Sequence, residues 1–142
     1  GMIHMVKLCV GVSSVEELES YRDQRAHWWG ADYGEDVHVH RTRMMPKRSA
    51  EMEGQGSIYW VMSGAICCRQ PILRLAPYTD AEGKDFCDII MSPDIIRTVP
   101  YPKRPFQGWR YLRVEDAPPD LEAGANENSA EIAAELARMG LI

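Results

Sequence analysis

The chain has no apolar run near the roughly 20 residues that a bilayer-spanning helix needs, so no membrane partner is expected. Its four cysteines, Cys9, Cys67, Cys68 and Cys87, contain no CxxC pair and no spacing typical of a zinc site. They read as reduced thiols, used as small apolar residues in a cytoplasmic protein. In a strand, the adjacent Cys67 and Cys68 would point to opposite faces. No metal and no other cofactor is expected. The chain also lacks a GxSxG elbow, an HExxH pair, a GxxxxGK[ST] loop and a GxGxxG fingerprint; "GQGS" at 54–57 is a turn. The opening "MIHMVKLCVGV" has no basic region and no small-residue cleavage site, so a signal peptide is not expected. Gly1 before Met2 reads as the remnant of an expression tag.

What is present is ordinary in bulk and uneven in detail. Hydrophobic residues make up 45% and charged residues 26% of 142, as in a globular domain able to bury about two thirds of its unfolded surface. The net charge is -5, which argues against a protein that coats DNA. Residues 37–113 nevertheless hold 12 basic and 7 acidic side chains. Residues 1–36 hold 3 and 7, and residues 114–142 hold 1 and 7. A local basic patch in the middle of the chain is compatible with the acidic total.

The periodicity predicts a strand over 3–10 that is apolar on both faces and therefore central. Ser14 and Glu17 form a capping box opening a helix, with Val15, Leu18 and Tyr21 as its inward stripe. "HWWGADYGED" (27–36) reads as a loop. "VHVHRTR" (37–43) is a strand with Val37 and Val39 on one face and His38 and His40 on the other, the latter turned to solvent or a cleft. A short helix opening at Pro46 carries Lys47 and Arg48 in its first turn, where cations oppose the helix dipole. "SIYWVM" and "AICCRQPILRLAPY" flank Ser63-Gly64 as a hairpin, with Pro71 implying an edge or bulge. "DFCDIIM", "DIIRTV" and "WRYLRV" are further strands. Residues 2–121 form one domain, followed by a polar linker and a terminal helix capped by Asn128 within 122–142. Strands in succession, on turns too short for parallel crossovers, give α+β with a mainly antiparallel curled sheet or small barrel and flanking helices.

"MVKLCVGVSSVEEL", "RMMPKR", "GSIYWVMSG" and "RPFQGWRYLRVEDAP" together resemble an uncharacterised bacterial family, domain of unknown function 1489, over roughly residues 2–121. The resemblance carries no activity and no catalytic residue. At the level of fold, the order of strand, helix, short helix and hairpin is similar to PUA-like barrels of the ASCH and EVE kinds. That likeness implies a cleft between helix and barrel in which some such proteins bind RNA or modified bases.

The basic and aromatic residues form the main candidate site. Arg41, Arg43, Lys47 and Arg48 lie at one strand-to-helix junction. Arg69 lies on the long arm of the hairpin. Lys103, Arg104 and Arg110 surround Phe106, Gln107 and Trp109. Arginine forks match phosphate, aromatic faces stack on bases and a glutamine pairs with a base edge. The set points to RNA, a modified base or another nucleotide-like anion as partner. His38 and His40 could share a metal if His27, Asp36 or Glu51 supplied a third ligand, although a polar strand face explains them as well. A rival reading is an enzyme on a small anionic metabolite, with the arginines as clamps and His38 or His40 as acid–base group. A third is a protein–protein adaptor anchored by Trp28 and Trp29.

Overall fold

The structure is a computed structural model, and it describes residues 1–22, 33, 36–121 and 138. Its elements are β1 (His4–Leu8), a helix α1 over residues 15–22, β2 (His38–Thr42), β3 (Ser57–Met62), β4 (Ala65–Thr79), β5 (Asp85–Met91), β6 (Ile96–Pro102) and β7 (Trp109–Leu112). The strands follow the path β2-β5-β4-β3-β1-β7, with β6 paired to β4 off that path. The architecture is α+β, a mixed and curled sheet. Among the described pairings β1–β3 is parallel and the others are antiparallel.

β1 lies between β3 and β7, as two apolar faces require. It ends at Leu8, two residues short of the expected limit, and Val10 is exposed in the following turn. Every residue of β3 is buried. Ile58, Trp60 and Met62 join Met5 in the larger apolar cluster, while Tyr59 and Val61 join Val6, Ile66 and Leu112 on the opposite face. The β3–β4 turn places Ser63 at φ 50° and Gly64 at φ 83°, the pair of positive φ values that a tight two-residue hairpin takes. Gly56 is required by contact: a Cβ there would lie 2.2 Å from the Ile3 carbonyl oxygen.

β4 changes partners along its length. Residues 65–71 pair with β3 and, in part, with β6, whereas residues 72–79 pair with β5. Pro71 sits at the changeover, where its missing N–H interrupts no continuing ladder. Cys67 is bulged out of register with both β3 and β6. A bulge breaks strict alternation, so Cys67 and Cys68 both pack against the larger cluster, contrary to the expectation of opposite faces. The hydrogen bond to Cys67 and burial together push the Cys68 thiol up. All four cysteines are free thiols.

α1 begins as its sequence predicts. The Glu17 N–H donates to Ser14 Oγ at 3.1 Å. The Glu17 carboxylate, however, accepts from the Ser13 N–H and hydroxyl rather than from Ser14. Val15 and Leu18 are buried, but the third inward residue is Arg22, and Tyr21 is exposed.

Two further expectations change. The Pro46 helix is a three-residue 3-10 turn, Ser49–Glu51, with Arg48 at its N-cap. So short a turn has neither the row of free N–H groups nor the dipole needed to attract an anion. The last strand, expected to reach Val114, ends at Leu112, and Val114 opens a 3-10 turn, Val114–Asp116. Of the 27–36 loop, Tyr33 and Asp36 are described, and Tyr33 is helical. Trp28, Trp29, His27 and the helix expected after Asn128 lie outside the described residues, Arg138 excepted.

Candidate functional site

The two ends of the strand path approach each other. Trp109 on β7 donates its indole N–H to the Met44 carbonyl, just beyond β2, at 3.3 Å. The backbone N–H of Arg48 donates to the Tyr111 hydroxyl at 3.2 Å. Between these ends lies a concavity of about 570 Å³, lined by Thr42, Arg43 and Met44 on one side and by Gln107, Gly108, Trp109, Arg110 and Tyr111 on the other. Two segments more than 60 residues apart in sequence thus form one seam. Gly108, at φ 72°, makes the turn into β7 and presents Gln107 outward.

At the seam the aromatic groups are braced and two of the cations meet no carboxylate among the described residues. Trp109 packs partly into the larger core cluster and meets Tyr111 edge to face, with centroids 4.9 Å apart. The Arg110 guanidinium lies 4.4 Å from the Phe106 ring centroid, and Phe106 itself packs against the smaller core cluster. The Arg43 guanidinium lies 5.2 Å from the Phe86 ring. Neither Arg43 nor Arg110 has a carboxylate within ion-pair distance among the described residues.

Other predicted ligand residues are already engaged. Arg41 forks onto Asp88 at 2.6 and 2.9 Å, and its guanidinium lies 3.6 Å from the Tyr78 ring centroid. The Asp88 side chain has no exposed surface and also accepts from the Tyr33 hydroxyl. Arg48 forks onto Glu51 at 2.7 and 2.8 Å, which holds the Glu51 carboxyl down at about 2. Arg69 forks onto Asp120, both bonds 2.8 Å, and donates to Ser57 Oγ. It ties the segment after β7 to the sheet, away from the seam. Lys47 and Arg104 are exposed and do not line the seam.

The histidine face of β2 is divided: His38 turns into the interior, against expectation, while half-buried His40 borders a cleft, one of the expected alternatives. His38 is buried, and its Nδ1 pairs with Gln70 Nε2 at 2.9 Å. Gln70 is fully buried, accepts from the Trp60 indole N–H at 3.0 Å and donates to the Ser92 carbonyl. His40 lies edge to face with Trp60, centroids 5.4 Å apart. Burial pushes His40 down to about 3, with help from the positive charges of Lys7 and Arg22. His4 is likewise buried: its Nδ1 accepts from the Ser57 N–H at 2.9 Å, and burial with the nearby Arg69 lowers its pKa. No cluster of three potential metal ligands occurs among the described residues. His38 serves the interior, and neither histidine lines the seam.

Sequence reasoning passed over Asp88, Gln70 and Arg22. Each is a polar residue inside an apolar stretch, "DFCDIIM", "CCRQPIL" and the α1 stripe, and that interruption is the available signal.

The chain belongs to a family of proteins of unknown function (DUF1489), whose model matches residues 5–142. The match includes the tail after Leu121, which the sequence resemblance had left out. No curated protein and no solved structure matches the chain. Among the described residues no helix is long and apolar enough to cross a membrane.

Proposed function

We propose that the seam between β2 and β7 binds single-stranded nucleic acid, RNA or a modified base, and that the protein acts as a cytoplasmic binding module. The observation that carries this reading is the meeting of Thr42–Met44 with Gln107–Tyr111 at one concavity, with two arginines that no described carboxylate neutralises. Arg43 and Arg110 take phosphates. Tyr111 and the partly exposed edge of Trp109 offer faces to bases, and Gln107 can pair with a base edge. The sequence likeness to PUA-like barrels supports the same reading, as fold analogy only. The rival enzymatic reading has less support at the seam, because neither His38 nor His40 lines it.

Oligoribonucleotides titrated at several salt concentrations test the proposal. Wild type binds with log K falling linearly in log salt. Arg43→Glu with Arg110→Glu weakens binding and shortens that slope by about one to two charges, at about 0.7 per phosphate on a single strand. Binding that is unchanged in the double variant, or absent in wild type at low salt, removes the reading.

A further inference from the structure

A second concavity, of about 350 Å³, lies where the first residues of the chain and the segment after β7 meet the sheet. Its size falls within the usual range for small-molecule sites. Tyr59 on its wall belongs to the smaller apolar cluster, whereas Trp109 of the seam packs against the larger one. The two concavities therefore lie on opposite faces of the sheet. Val114 and Pro118 supply apolar wall, and His4, Tyr59 and the Arg69–Asp120 ion pair supply the polar part.

Two buried donors in this wall have nothing to donate to. His4 Nδ1 accepts the Ser57 N–H at 2.9 Å, which places the proton of the neutral imidazole on Nε2. Burial and the nearby Arg69 keep that ring neutral. Burial also raises the Tyr59 phenol, which stays protonated with Arg69 and Asp120 close enough to act on it. His4 keeps 7% and Tyr59 4% of its surface, and their rings meet edge to face with centroids 5.0 Å apart. Neither His4 Nε2 nor the Tyr59 oxygen has a hydrogen-bond partner among the described residues, yet neither atom is sealed from solvent. Both residues line the cavity, and it is there that they open. Native interiors rarely leave such donors unmet without a reason.

The charges on the described wall cancel. Arg69 gives both arms of its fork to Asp120 and a further N–H to Ser57 Oγ, so it is not free for an anion. Asp120 keeps 47% of its side-chain surface, and a carboxylate that accepts one bond on each oxygen has lone pairs to spare. Two neutral donors beside one spare acceptor match a ligand without charge that carries carbonyl oxygen next to a ring N–H.

We propose that this cavity binds a small neutral heterocycle with a cyclic amide or imide, of the kind found in free pyrimidine and purine bases. Its carbonyl oxygen accepts from His4 Nε2 and Tyr59 Oη, and its ring N–H donates to Asp120. The site does not rest on the reading of the seam.

Wild-type protein is titrated calorimetrically with uracil, with hypoxanthine and with benzoate, a flat anion that lacks the N–H, while the imidazole nitrogens of His4 are followed by NMR. At least one of the two bases binds at or below about 1 mM and shifts the His4 signals, and benzoate binds more weakly. Tyr59→Phe, which removes only the hydroxyl, weakens the binding by about three- to tenfold. Val114→Trp, placed at an exposed position of the rim, fills the space and weakens it by at least about tenfold. Arg43→Glu with Arg110→Glu leaves it unchanged, so loss of RNA binding and loss of this site are read independently. If Tyr59→Phe does not fold, Val114→Trp decides alone. No binding by either base, tighter binding of benzoate, or binding indifferent to either variant overturns the proposal.

Discussion

The arginines of the seam and those paired elsewhere on the sheet are alike in sequence and opposite in circumstance. Arg41 and Arg69 meet carboxylates through both arms of their forks. Arg43, two residues from Arg41, and Arg110 lie over aromatic rings with no carboxylate partner among the described residues. The difference lies in where β2 ends and in what the fold brings opposite. Arg41 is in register with Asp88 across β2–β5, while Arg43 falls past the end of β2 and turns toward the seam. A basic residue becomes available for a ligand when the sheet has not already supplied its counterion.

The sharpest way to break this contrast is to remove the engaged cation. Arg41→Met leaves the fully buried Asp88 carboxylate with Tyr33 alone, and chemical denaturation is expected to show a loss of about 3–5 kcal/mol. A loss below about 1 kcal/mol would mean that the pair is no more structural than the seam arginines.

Acid acts on the same interior. His40 titrates at about 3 in the fold against 6.5 ordinarily. Below pH 6.5 the unfolded chain therefore takes up a proton that the folded chain refuses. Stability is complete above 6.5 and falls as pH drops through the window toward 3, by about 1 kcal/mol per pH unit from this group. His4, also lowered, adds in the same direction. Melting between pH 6.5 and 5 is expected to show this slope, and His40→Phe to flatten it. An equal slope in the variant assigns the effect elsewhere.

Arg69→Met tests a half-exposed pair, since Asp120 keeps 47% of its side-chain surface. The expected cost is about 1 kcal/mol, with earlier proteolytic cutting in residues 117–121 as the local readout. Arg43→Met and Arg110→Met close the series. Each is expected within about 0.5 kcal/mol of wild type; a larger loss in either would place it with the structural arginines and weaken the seam proposal.

Local signals were legible in the sequence. The Ser63-Gly64 turn, the apolar runs of β3 and β5 and the Ser14 cap each depend on residues a few positions apart, and each formed close to where it was expected. Arg43 and Gln107 to Arg110 stand in one candidate set by residue type alone, and nothing in either stretch says that residues 42–44 and 107–111 meet. What could not be read depended on distant partners. Nothing near Arg41 points to Asp88, and nothing in "VHVH" points to Gln70, which draws His38 inward from a seemingly polar strand face. The helix proposed after Pro46 failed for a similar reason. Met52 is fully buried, and the Gly54 N–H donates to Ile72 O, so the chain is drawn onto the sheet before a full helical turn develops. The order of Lys47 and Arg48 therefore has a plainer cause than an anion site, because Arg48 is three residues from its partner Glu51.

β4 has a consequence for how the chain folds. Its fifteen residues serve β3, β6 and β5 in turn. The hairpins with β3 and with β5 both close short loops, whereas β1 must find β3 across about fifty residues. Loop-closure entropy favours these local hairpins as early events and makes the parallel β1–β3 pairing a late one. The amides in the middle of β4 are then the slowest to exchange with solvent, since freeing them requires several strands to separate together. The outer strands β2 and β7, whose ends meet across the Trp109–Met44 bond, each hydrogen-bond to one strand and can part without disturbing that centre.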